Sequence, residues 1–123
     1  MTASERFIYK ICSAELWLQA EKEGVFRGAE IDLADGFIHF SAAGQVKETA
    51  EKHFAGRSGL VLVCVATDGL ELVWEPSRGG ALFPHLYGVL GLEAVVWVRP
   101  IKLLADKNFD WPDLQAEGPA QLD

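Results

Sequence analysis

The chain has 123 residues, 50% of them hydrophobic and 24% charged, enough for a single globular domain with a substantial core. Against 11 basic residues stand 18 acidic ones, and the net charge of −7, with Lys and Arg scattered along the sequence, disfavours a nucleic-acid partner. Cys12 and Cys64 are the 2 cysteines, and the absence of a CxxC pair or a Cys/His cluster argues against zinc.

Taken in order, Met1 to Arg6 lacks the apolar core of a signal peptide, and no apolar run approaches membrane-spanning length. A cytoplasmic location with no membrane partner is expected, with both cysteines reduced and buried. A Cys12–Cys64 disulfide requires their strands to be neighbours. Phe7 to Cys12 is aromatic and β-branched, a first strand. Ser13 is a good N-cap for a helix from Ala14 to Glu23, with Leu16, Trp17 and Ala20 on one face and Gly24 as its stop. Val25 to Ala34 reads as a connection with room for a short strand, and Asp35-Gly36 as a turn. Phe37 to Ser41 is the next strand. Ile38 and Phe40 point to the core; Phe37, His39 and Ser41 point the other way. A second helix is expected from Ala42 to Phe54, capped by Ser41, with Val46, Ala50 and Phe54 inward.

Leu60 to Ala66 is apolar on both faces, the mark of a central strand. Thr67-Asp68-Gly69 is a hairpin-type turn, and Leu70 to Glu75 alternates, with Leu70, Leu72 and Trp74 opposite Glu71, Val73 and Glu75, before Pro76 stops it. Ser77 to Gly88 reads as a loop. Ala94 to Val98 is a last strand ended by Pro100, with Ile101 to Leu104 as an extension or addition. Residues 1–104 are expected to form one compact domain. Residues 105–123 form an acidic tail, which Trp111 would pin to the body and whose final residues would fray. Two early helices followed by strands predict an α+β fold with a mixed, mainly antiparallel sheet.

Four groups carry candidate chemistry. His39 and Ser41 share a strand face, but alternate positions put their Cβ atoms roughly 7 Å apart. That suits joint contacts to a ligand better than a hydrolytic dyad. Gln45 and Thr49 lie together on a helix edge. Glu75 ends a strand, and Arg78 precedes two glycines that allow close backbone approach to a phosphate or carboxylate. Phe83 to Gly88 is too aromatic to leave in water and must pack on the body or on a planar ligand. Each group also has a plain structural explanation: a half-buried histidine, a helix cap, boundary polar residues, an ordinary turn. A metal site from His39, His85 and a carboxylate has no support in the spacing, and none is expected.

Three pieces match a known family in order: Asp35-Gly36-Phe37-Ile38-His39-Phe40-Ser41 with Gln45 and Thr49; Trp74-Glu75; and Leu82-Phe83-Pro84-His85-Leu86-Tyr87-Gly88. Together they resemble the bacterial domain-of-unknown-function family 952, over about Phe7 to Leu104. The resemblance implies an ADP-ribosyltransferase-like fold, a small split β-sandwich with nicotinamide dinucleotide (NAD) as a possible substrate between its sheets. It makes His39 the holder of a ribose hydroxyl and His85 and Tyr87 contacts for the nicotinamide end. Glu75 becomes the catalytic carboxylate, although the family pattern places that group late, where this chain has Glu93. The expected function is a cleft for a nucleotide-like small molecule, with His39 and Glu75 catalytic and Ser41, Gln45, Arg78, His85 and Tyr87 binding. The open alternative is a non-catalytic binding or protein-interaction module that uses the same cleft.

Overall fold

The apolar run Leu60–Ala66 forms β4, and the larger sheet is built around it. β4 lies between β1 (Phe7–Ser13) and β8 (Val95–Leu103), antiparallel to both, and β9 (Phe109–Asp110) pairs with the end of β8. Alternation sends Val61, Val63 and Val65 into one core cluster and Leu60, Leu62 and Cys64 into another. A sheet covered on both faces explains why this strand has no polar side. The computed structural model describes residues 6–77 and 80–114. Among these, no helix is long and apolar enough to cross a membrane.

α1 (Ala14–Glu23) covers the first face through Trp17 and Ala20. Ser13 Oγ accepts from Leu16 N at 3.0 Å, and Gly24 ends the helix at φ 84°, the left-handed conformation that glycine adopts without a Cβ penalty. β2 (Val25–Phe26) follows and pairs with β7 (Leu90–Gly91). α3 (Val46–His53) covers the second face through Val46 and Ala50, with Phe54 beside them. Phe109, Trp111 and Leu114 pack on that same face, and Tyr9 Oη donates to the Leu114 carbonyl at 2.8 Å. Trp111 thus packs on the body within the described part of the tail; residues 115–123, where fraying was expected, lie outside the described residues.

A three-stranded antiparallel sheet packs on the first cluster in the order β3 (Ile38–His39), β6 (Leu82–Leu86), β5 (Leu72–Pro76). Its inner face carries Ile38, Leu72, Trp74 and Leu86. The fold is thus α+β, and every strand pair among the described residues is antiparallel.

Several sequence expectations give way here. Leu82–Leu86 is the central strand of this sheet, not a loop. Pro84 is tolerated because its carbonyl accepts from Phe40 N at 3.0 Å, so the position that lacks a donor faces the end of the two-residue β3. Pro100 does not end β8: β4 pairs with it on one side, while β9 begins only at Lys102. Thr67-Asp68-Gly69 turns the chain, but from one sheet to the other rather than into a hairpin. The connection Val25–Ala34 holds a further helix, α2 (Glu30–Asp35). α3 starts at Val46 rather than Ala42, with Gln45 instead of Ser41 at its cap position. Cys12 and Cys64 do sit on neighbouring strands, yet in opposite core clusters, and they are not joined by a disulfide.

Candidate functional site

The outer face of the three-stranded sheet is chemically unlike its inner face. Strand register sets His39 opposite His85 and His85 opposite Val73, one row across three strands. Glu75 and Phe83 form the next row on the same face. Phe37, just past the left-handed Gly36 that ends α2, lays its ring among them. It stacks on His85 at 4.2 Å between centroids and meets His39 at 4.6 Å and Tyr87 at 5.0 Å. The two imidazoles stand edge to face at 5.3 Å.

Each imidazole is held by a carboxylate through Nδ1. His85 Nδ1 donates to Glu75 Oε1 at 2.6 Å, and Tyr87 Oη donates to Glu75 Oε1 and Oε2 at 2.9 and 3.1 Å. The His85 bond, then the Tyr87 bonds, hold the Glu75 carboxyl below its usual range. The same bond raises the Tyr87 hydroxyl above its ordinary value. His85 is 4% exposed, and its Nε2 is buried with no hydrogen-bond partner. Buried polar atoms in native proteins are usually satisfied, so this orphan is informative.

His39 belongs to a deeper network. Its Nδ1 donates to Asp32 Oδ1 at 2.6 Å, and its Nε2 lies 3.0 Å from Asp35 Oδ2. Asp32, one of the most buried side chains, also accepts from His39 N at 3.1 Å, from Ala29 N at 2.7 Å and from Lys10 Nζ at 2.8 Å. Lys10 Nζ donates to the His39 carbonyl as well, at 3.0 Å. Burial raises the Asp32 carboxyl, but Lys10 and the other donors outweigh it and leave it below the ordinary value. For Lys10 burial wins over Asp32, and the ammonium loses its proton more readily than a free lysine. The two directions agree with the inventory: Asp32 collects four donors, whereas Lys10 has two acceptors and almost no water. Gly28 is required here, because a Cβ would stand 2.8 Å from Asp32 Cβ, and its φ is +119°. Sequence reasoning missed Lys10, Asp32 and Asp35. A lysine in the middle of an otherwise buried strand was the available signal, since a buried cation needs an anion.

A cleft of about 900 Å³ runs along this network, within the range of small-molecule sites. Strand β1 from Tyr9 to Ser13 borders it, as do α1, α2, His53 at the end of α3 and Arg57 in the loop beyond it. His39, Ser41, Phe83 and His85 line it; Glu75 and Tyr87 do not, and reach it only through His85. Ser41 is a bridge rather than a helix cap: its backbone exchanges bonds of 2.8 and 2.9 Å with Tyr9, and its hydroxyl meets Thr49 Oγ1 at 3.1 Å. Gln45 accepts from Ala42 N at 2.9 Å and donates to the Leu82 carbonyl at 2.7 Å, which ties the start of α3 to β6. Its amide is committed to backbone, away from the larger cleft. Arg78 lies outside the described residues.

Comparison with known proteins adds relatives. A family model described as "Protein of unknown function (DUF952)" matches residues 11–98. The X-ray structure of protein CC0527 from Caulobacter crescentus is 47% identical, with a TM-score of 0.79, over 85% of this chain and 93% of that one. The solution NMR structure of CC0527 gives 48% identity and a TM-score of 0.74, over 82% and 89% of the two chains. No curated protein matches.

Proposed function

The chain belongs to the DUF952 family of proteins of unknown function, and from that premise we propose that it is an ADP-ribosyltransferase-like domain. Its cleft takes a nucleotide-like small molecule in the cytoplasm, with NAD-dependent glycosyl transfer or hydrolysis as its chemistry. One observation carries the reading: His39 and His85, each oriented by a carboxylate, meet at the wall of a large cleft beside an aromatic ring. Oriented imidazoles suit hydroxyl binding and proton transfer, and the Phe83 ring at the cleft wall suits a planar base. The border of the cleft, drawn from strands of both the larger and the three-stranded sheets, supports the split-sandwich grouping.

The test is isothermal titration with NAD and with ADP-ribose. The expected result is saturable binding that His39→Ala abolishes while circular dichroism shows an unchanged fold. No heat at millimolar ligand would remove the proposal. A second reading, binding without turnover, is favoured by the Glu75 carboxylate itself, both of whose oxygens are already bonded to His85 and Tyr87. Nicotinamide release, followed by chromatography, separates the two.

A further inference from the structure

We infer that His85, not Glu75, is the proton acceptor of this site, and that Glu75 is its positioning residue. The inference rests on the glycosyl-transfer reading above and gives it an acceptor class: water or an alcohol, whose O–H needs a base. The steps are geometric. Glu75 is a carboxylate and can only accept, so the 2.6 Å contact puts the proton of neutral His85 on Nδ1. Nε2 then carries the lone pair. His85 lines the cleft and Glu75 does not, and Nε2 is the ring nitrogen that Glu75 leaves unengaged. That nitrogen is one of two buried side-chain atoms left without a partner among the described residues, the other being Trp97 Nε1. Phe37 stacks on the ring at 4.2 Å and fixes its plane.

In the proposed step the hydroxyl oxygen forms a bond to the anomeric carbon of the nicotinamide ribose. The C–N bond to the pyridinium breaks, and its electron pair stays on the ring nitrogen, which leaves as neutral nicotinamide. The hydroxyl proton passes to His85 Nε2, and the imidazolium so formed faces the Glu75 carboxylate. Charge and atoms balance without an oxidant, reductant or metal. Glu75 touches no reacting atom in this arrangement.

Long-range proton–nitrogen NMR on the uniformly labelled chain tests this without any ligand. The three histidines are assigned with His39→Gln, His53→Gln and His85→Gln. Neutral His85 is expected to carry its proton on Nδ1, and Glu75→Leu is expected to move it to Nε2. Glu75→Gln, which keeps an acceptor oxygen, is expected to restore the Nδ1 form and stands in if Glu75→Leu does not fold. A proton on Nε2 in the unmodified chain, or in Glu75→Gln, would overturn the inference, as would a tautomer that Glu75→Leu leaves unchanged. With NAD and methanol, His85→Gln is expected to lower nicotinamide release roughly 100-fold or more, with affinity within about threefold. Undiminished release in His85→Gln, with release lost in Glu75→Gln, would also overturn it. Absence of NAD binding in the unmodified chain defeats the ligand reading alone, since the tautomer result is independent of it.

Discussion

In the larger sheet the central strand β4 buries apolar side chains on both faces, while in the three-stranded sheet the central strand β6 sets Leu86 on the core face and the equally buried Phe83 and His85 on the other. The pairing is antiparallel in both. What differs is what covers them: α1 and α3 lie on opposite sides of the first sheet, whereas the outer row of the second is met by the Phe37 ring and by the carboxylates of Asp32, Asp35 and Glu75. Apolar burial on two sides makes the first sheet the source of stability. The second sheet spends one face on imidazoles and carboxylates that do little for the core and much for a ligand. The exception is the foot of that second region, where Asp32 and Lys10 tie β3 to β1.

The sharpest way to break this division is at that tie. Asp32→Ala leaves Lys10 buried without its anion and is expected to cost about 3–5 kcal/mol, read from the shift of the urea midpoint. Adding Lys10→Met should recover most of the loss; no recovery would mean that Asp32 acts mainly through its backbone bonds. Next comes the centre of the larger sheet. Leu62→Ala, at a fully buried position, is expected to cost about 3 kcal/mol by the same measurement, without altering ligand binding. A smaller effect is linked to pH. The folded pKa of Asp32 lies below its ordinary 3.8, so its contribution is fully present above 3.8 and is lost as pH falls through the folded value. Acid unfolding should therefore flatten in Asp32→Asn, and an unchanged acid limb would assign the acid sensitivity to other groups. The smallest effect is expected on the open face. Tyr87→Phe should shift stability by no more than about 0.5 kcal/mol while weakening ligand affinity, a split that calorimetric melting and titration read separately. A larger stability loss would place Tyr87 on the structural side of the comparison.

The division was partly legible in the sequence. Local signals sufficed where one residue decides one feature: Ser13 and Gly24 bound α1, and the two-sided apolar run announced β4. Alternation gave the faces of Leu70, Leu72 and Trp74, and of Ile38 and Phe40. His39, His85, Glu75 and Tyr87 do lie near one another, but Glu75 and Tyr87 stand outside the cleft expected to hold all four. What stayed hidden depends on partners far along the chain. α2 is six residues long, capped by an alanine, and exposes Ile31 and Leu33, so no apolar stripe betrays it. β6 looked like a loop because Pro84 is costly in a strand unless its empty donor position meets a strand end, which only the three-dimensional pairing reveals. Asp32 reads as one acid among 18 until Lys10, on another strand, is placed beside it.

The placement of the two cysteines has a practical consequence. Cys12 reports from the core cluster shared with α1 and the three-stranded sheet, and Cys64 from the cluster beneath α3 and the tail. Burial leaves Cys12 3% exposed and pushes its thiol up to about 11, so alkylation is expected to be slow unless the fold opens. Each half of the molecule therefore carries its own native clock: the rate at which a thiol reagent consumes Cys12 in Cys64→Ala, and Cys64 in Cys12→Ala, times the opening of one face of the larger sheet independently of the other.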